Sequence, residues 1–353
     1  MSKLQRYIGG QLLVAMLGVL LLIVGLDALS TVIDELEDIT DTYTFIDVLV
    51  YVGFTLPRRA HEFVPFAALI GALVGLGKLA SSSELTVAQT SGLSLRQIGM
   101  MVLQPALLLA LGGFALGEFV TPLSEQLAVS HRALAQRQEQ GFVGAAGVWS
   151  RDGDTFVHVE AVQRQGVIYG VQLLSFDSER RLTQSVRAER GSFQEGYWLL
   201  EQVEKTVFSP TSTQVERQTT AQWETEITPQ LLALEAVDSV SLPTRQLWPY
   251  ARYLESQGLL FRDIELAFWR KLLQPLAIGG LVLVAMSFIF GPLRSGTMGA
   301  RIFAGVIVGI VFRISEDFFG PISLIYGFPS ILSAATPIAL CWLCGLWLLR
   351  RKA

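Results

Sequence analysis

The sequence predicts an α-helical membrane protein of six transmembrane helices, with an all-β, jelly-roll-like domain inserted between the third and the fourth. Three observations carry this. Of 353 residues, 51% are hydrophobic and only 16% are charged, whereas soluble domains carry about 25% charged residues. The apolar residues gather into six long runs. Between the third and fourth runs the pattern changes to short segments of alternating polar and apolar residues.

A span needs roughly 20 mostly apolar residues to cross about 30 Å of hydrocarbon. The six runs are Ile8–Leu29, Val64–Leu79, Ile98–Val120, Leu272–Phe290, Ile302–Phe319 and Ser330–Leu349. The first follows Lys3 and Arg6, as a signal peptide would. Its apolar run is too long for one, and Asp34, Glu35 and Glu37 stand where a small-residue cleavage site would be, so it reads as a retained span. The run Val64–Leu79 is short for a span; its helix can begin near Val48 and break at Pro57 or Pro65. Lys and Arg favour cytoplasmic loops. With the N-terminus inside, Lys3, Arg6, Lys78, Arg96, Arg294, Arg301, Arg350, Arg351 and Lys352 all face the cytoplasm. The first outer loop is acidic, with no base before Arg58. This orientation puts both termini inside and residues from about 121 to 260 outside. The expected division is 1–120 (three spans, with a short inner helix at 81–92), 121–260 (outer helix, β domain and linker) and 261–353 (three spans).

In the outer segment, Ser124–Gln140 reads as a helix. Thr155–Glu160, Val167–Phe176, Gln184–Arg190, Trp198–Val207 and Gln214–Ile227 alternate as half-buried strands. Asp152-Gly153 and Glu195-Gly196 read as turns. Asp238–Gln257, with Pro243 and Pro249, reads as a linker.

Several function classes are excluded. Lys+Arg 27 against Asp+Glu 31 gives a net charge of -4, without the basic face a nucleic-acid binder needs. Two Cys make no disulfide framework, and Cys341-x-x-Cys344 lies in an apolar span with no second ligand pair. His61-Glu62 is not a zinc-protease motif, and Gly75-Leu76-Gly77-Lys78 departs from the phosphate-loop pattern. No catalytic residue, metal site or cofactor is expected in this chain. Any ATP, with its magnesium, belongs to a partner.

The inner loop carries Ser81-Ser82-Ser83-Glu84, which fits a capping box; a short helix Leu85–Ser91 and a left-handed stop at Gly92 follow. Such an element is either a docking helix or a capped connector. Gly71/Gly75, Gly113/Gly117 and Gly305/Gly309 are close-packing pairs. Charges cluster at the outer ends of the spans. They include Arg58, Arg59, His61 and Glu62, then His131, Arg132 and Arg137, then Arg262, Glu265, Arg270 and Lys271, then Arg313, Glu316 and Asp317. Arg262 with Glu265 and Arg313 with Glu316 have the spacing of intrahelical pairs. The cluster reads either as snorkelling side chains or as a cationic collar for an anionic lipid head group.

Ser287–Ser295 (SFIFGPLRS), Gln274-Pro275-Leu276, Phe319-Gly320-Pro321, Ser83-Glu84-Leu85 through Gln89-Thr90-Ser91-Gly92, and Gln5-Arg6-Tyr7-Ile8-Gly9 together resemble the lipopolysaccharide-export permeases, the G-type branch more than the F-type. The resemblance spans essentially the whole chain. It implies an inner-membrane subunit with a periplasmic jelly roll, paired with an F-type paralogue on a cytoplasmic ABC ATPase dimer. Lipopolysaccharide would be passed to a periplasmic jelly-roll bridge protein. It implies that Ser83, Glu84, Leu85 and Gly92 couple to the ATPase, with Glu84 as the acidic contact. Arg132 and Arg137 match the family's lipid-contacting region. The candidate lipid-binding set is Arg58, Arg59, His131, Arg132, Arg137, Arg270 and Lys271, together with Phe66. One departure stands out: Thr31, Glu37 and Asp38 occupy about the places where family members carry phosphate-contacting lysines. The rival readings are a membrane receptor or mechanotransmitter with an outer sensing domain, and an ion-coupled carrier. The carrier would need ionisable groups near mid-membrane.

Overall fold

The computed structural model describes residues 3–136, 147–163, 166–194, 196–209, 212–225, 227–229, 231–232, 239–256, 261–290 and 297–350. The helices are α1 (Lys3–Glu35), α2 (Phe45–Ser81), α3 (Glu84–Thr90), α4 (Leu95–Ala115), α5 (Thr121–Gln136), α6 (Thr244–Ser256), α7 (Arg262–Phe290), α8 (Met298–Tyr326) and α9 (Ser330–Arg350). A π turn, Leu116–Val120, joins α4 to α5. Among the described residues, six helical stretches are long and apolar enough to cross a membrane, and they coincide with the six predicted runs.

Two expectations about these helices are corrected. The helix of the Val64–Leu79 run begins at Phe45, close to the expected Val48, but it does not break: α2 runs on through Pro57 and Pro65. Proline removes a backbone donor and strands the carbonyl four residues before it. For Pro65 that is the carbonyl of His61, and the Gln274 amide donates to it at 3.2 Å. The expected linker Asp238–Gln257 contains a helix instead. In α6, Leu247, Tyr250, Ala251 and Leu254 are all buried, at the i, i+3, i+4, i+7 spacing of one helical face. Pro243 precedes the helix and Pro249 lies inside it, so two prolines masked this period in the sequence.

The chain forms two compact units. The first comprises residues 1–30, 56–122 and 239–353. Its core holds Leu12, Met16, Leu69, Leu73, Leu76 and Ile98, all fully buried. The three glycine pairs lie at helix contacts within this unit. A Cβ on Gly71 would lie 2.8 Å from the Met16 backbone nitrogen, and one on Gly75 would lie 2.8 Å from Leu12 Cδ2. On Gly113 it would meet Val64 at 2.7 Å, and on Gly117 His61 at 2.7 Å. On Gly305 it would meet Leu73 at 2.7 Å, and on Gly309 Phe66 at 2.8 Å. Helix α2 therefore packs closely on α1, on the α4 end and on α8 through small residues, the usual route to helix association in lipid.

The other unit comprises residues 31–55 and 123–238. It contains β1 (Val148–Asp152), β2 (Thr155–Gln163), β3 (Val167–Phe176), β4 (Leu182–Gln194), β5 (Tyr197–Ser209) and β6 (Ser212–Glu224). These make one antiparallel sheet in the order β1-β2-β3-β4-β5-β6. The inserted all-β domain is thus present. Its described strands follow one another up and down, without the Greek-key crossings of an ideal jelly roll. The five predicted strands are all there; β1 adds a sixth. Its sequence, VWSRD, is too short and too polar to show an alternation. Val157, Val159, Ile168, Trp198, Leu200 and Leu232 form the core. The indole of Trp198 is fully buried, and its N–H donates to the Ile227 carbonyl at 2.8 Å. Gly153 turns with φ +57° between β1 and β2. Glu195 of the other expected turn, and residues 137–140 of the expected outer helix, lie outside the described residues.

Gly71→Val is expected to lower the unfolding free energy of the purified protein by about 1–3 kcal/mol, the usual cost of forced overpacking. Gly25→Val, at a position with nothing within 4 Å, is expected to leave it nearly unchanged. Thermal unfolding in detergent measures both.

Candidate functional site

Between the second and third spans lies α3, seven residues long. One side, Leu85 and Ala88, is buried. Glu84, Thr86, Val87 and Thr90 are exposed. Leu85, expected on the docking face, is therefore the residue that anchors α3 to the span core. The expected capping box is absent here: Ser83 is left-handed, with φ 62°, and its side chain caps nothing. The Ser82 hydroxyl instead donates to Glu84 Oε1 at 2.9 Å. The Tyr7 hydroxyl, from the start of α1, lies near the Glu84 carboxylate. A capping box does form one element later, where Ser94 and Gln97 bond reciprocally at the start of α4. Gly92 stops α3 as expected, with φ +91°.

A cavity of about 280 Å³ opens within the first unit, between α2, α7 and α8. His61, Phe66, Arg270, Gln274, Phe312 and Glu316 are among the residues that line it. Three members of the predicted lipid-binding set, Phe66 from α2 and Arg270 and Lys271 from α7, thus line the same cavity. Arg270 donates to the backbone carbonyl of Glu316. Lys271 is 5% exposed, and its ammonium donates to the carbonyls of Gly117 at 2.7 Å and Leu242 at 2.8 Å. Two of its hydrogens are thus held by backbone carbonyls, while the residue also lines the cavity. Arg58 pairs with Glu62 at 2.9 Å, and Arg59 with Asp27 at 3.3 Å; neither lines the cavity among the described residues. Arg313 pairs with Asp317, one helical turn on, at 3.1 Å rather than with Glu316. Glu265 accepts from the Ser330 hydroxyl at 2.8 Å.

The unit that carries the sheet holds the other predicted cations. Arg132 pairs with Glu35 at 3.3 Å and with Asp38 at 2.5 Å, and lies over the Tyr51 ring at 5.3 Å. His131 Nε2 lies 3.5 Å from Asp47. The Tyr43 hydroxyl donates to Glu35 at 3.1 Å. Burial, and next the Glu35 carboxylate, push that hydroxyl above the ordinary tyrosine range. Asp38, which stands about where the resemblance expects a lysine, is thus answered by Arg132 inside the same unit. Arg137 lies outside the described residues.

Sequence reasoning missed two residues that the structure makes prominent. Glu118, a lone acid in the third span, is 9% exposed and accepts from the backbone N–H groups of Thr244 at 2.7 Å and Arg245 at 3.4 Å. Gln274, noted only as part of a motif, donates to the His61 carbonyl. The available signal was an acid just before Thr121-Pro122 inside an apolar run.

Among the described residues, six membrane-length helices, a β insert after the third and a short, half-exposed helix between the second and third make this a polytopic membrane protein. The family described as "Lipopolysaccharide export system permease LptF/LptG" matches residues 6–351, and the chain belongs to it. It is 36% identical over 355 residues to the lipopolysaccharide export system permease protein LptG of Escherichia coli K12, covering 99% of this chain and 98% of that one. It is 35% identical over 354 residues to LptG of Haemophilus influenzae, covering 99% of both.

Arg132→Gln is expected to destabilise the protein by about 1–3 kcal/mol, because it leaves the Glu35 carboxylate buried without its cation. Asp38→Asn, at an exposed partner, is expected to cost under about 1 kcal/mol. Chemical unfolding of the two variants, followed in parallel, measures the contrast.

Proposed function

We propose that this chain is the G-type permease subunit of an ATP-driven exporter that takes lipopolysaccharide from the outer leaflet of the inner membrane. The full-length match to LptG proteins carries this reading. The termini lie in the cytoplasm and the β domain in the periplasm, as the Lys and Arg bias of the loops supports. A receptor or mechanotransmitter is not favoured, since the whole chain aligns with permeases.

The burial pattern supports a paired permease. In the first and fifth spans only 11% and 22% of the most apolar window is buried, against 67% in the span formed by α2. Those two helices present large apolar faces, suited to an F-type partner and to lipid. The exposed side of α3 suits docking on an ABC ATPase dimer, with Glu84 as the charged contact, already oriented by Ser82. ATP and magnesium are used by that partner.

The energetics set the route. Each buried methylene is worth about 0.8 kcal/mol, so several acyl chains cannot pass through water without a cost of tens of kcal/mol. The chains must move from bilayer to apolar protein surface, and a periplasmic β domain continued by a jelly-roll bridge protein offers one. Phe66 and Arg270, on the wall of the cavity, are the residues assigned to lipid contact in the spans.

Glu84→Lys is expected to leave the chain inserted at its normal level. It is expected to reduce ATP-dependent lipopolysaccharide release from proteoliposomes by about tenfold or more, the effect of reversing one buried contact charge. Release at the unsubstituted rate would remove Glu84 from the coupling contact.

A further inference from the structure

The third span changes register at Leu116–Val120. There the Thr121 N–H donates to Leu116, five residues back, rather than to Gly117. The next residue able to reach Gly117 in the π register is Pro122, which has no N–H. The Gly117 carbonyl is therefore stranded in both helical registers. Lys271 of α7 fills it, and the same ammonium holds the Leu242 carbonyl. One residue past Gly117, Glu118 takes the N–H groups of Thr244 and Arg245. These are the first two donors of α6, which have no partner within their own helix. Residues 242–245 are thus gripped twice, their carbonyl by a buried cation and their amides by a buried anion. Pro243 between them accepts from Gln246 at 2.9 Å and Leu247 at 3.1 Å. Four residues before Gly117, the Gly113 carbonyl of α4 lies 2.9 Å from Nδ1 of His61 in α2. π turns of this kind concentrate at functional positions.

We propose that Glu118 and Lys271 form a latch that ties the π turn of the third span and the start of the fourth span to residues 242–245. Through it, displacement of the spans is handed to α6 and the chain following the β domain instead of being lost in a slack connection. Both are positioning residues. The proposal rests on the exporter reading for its functional consequence and on the hydrogen bonds alone for its geometry.

The test uses the complete exporter, with its partner permease and ATPase, in lipopolysaccharide-loaded proteoliposomes. Glu118→Met, Lys271→Met and the exchanged double variant Glu118→Lys/Lys271→Glu are compared with the unsubstituted protein. Two quantities are read: hydrogen–deuterium exchange in the peptide covering residues 242–248, and ATP hydrolysed per lipopolysaccharide delivered. Exchange at Thr244 and Arg245 is expected to rise about tenfold in Glu118→Met, the loss of one buried bond to a charged acceptor. ATP used per molecule delivered is expected to rise several-fold in both single variants, whereas a merely structural defect lowers hydrolysis and delivery together. The double variant is expected not to recover. A carboxylate at 271 cannot donate to carbonyls and an ammonium at 118 cannot accept from amides, whereas a simple ion pair would survive the exchange. Recovery in the double variant, or an unchanged ratio in both single variants, overturns the latch. Should Glu118→Met fail to accumulate, Glu118→Gln, which keeps one acceptor oxygen, is expected to show a smaller rise in exchange; no rise there overturns the latch equally. An unsubstituted complex that delivers nothing would defeat the exporter reading, while the exchange data would still decide the hydrogen-bonded grip.

Discussion

A backbone carbonyl that loses its helical partner inside an apolar span must find another donor, because no water is there to supply one. Much of the first unit follows from this constraint. Pro65 strands the carbonyl of His61, and the π turn with Pro122 strands that of Gly117. Both are answered from α7, by Gln274 and Lys271, which lie three residues apart and so on one face of that helix. One helix of the C-terminal half of the chain thereby fixes two helices of the N-terminal half. Close glycine contacts along α2 let the backbones approach near enough for side chains of ordinary length to reach.

The same economy governs the charges. The cations at the span ends are largely matched within their own unit. Arg58 meets Glu62, Arg59 meets Asp27, Arg132 meets Glu35 and Asp38, and Arg313 meets Asp317. An anionic ligand at any of these positions would have to compete with a carboxylate already in place. Of the residues that stand about where lysines are expected in the family, Asp38 is a local partner of Arg132.

The long apolar runs, the Lys and Arg bias and the alternating strands were all legible in the sequence, because each is a periodic signal summed over many residues. The Gly-x-x-x-Gly pairs were legible as close contacts, though not as contacts of α2 in particular. Other features were hidden because they depend on partners distant in the chain. Nothing near Pro65 shows that Gln274 would rescue its helix. Nothing near Lys271 shows that two of its hydrogens would be held by Gly117 and Leu242. The place of Leu85 in a motif says nothing of its burial, which is set by the core beneath α3. In α6 the two prolines outweighed a clear helical period.

Passage of lipid from the cavity wall in the spans to the β domain is the central claim. Site-specific photo-crosslinking in living cells tests it most directly, with the probe at Phe66 in α2 and, separately, at Phe156 in β2. The account predicts a lipopolysaccharide adduct at both sites, with the adduct at Phe156 lost when ATP is depleted. No lipid adduct at either site, with only a protein adduct at Phe156, would contradict it.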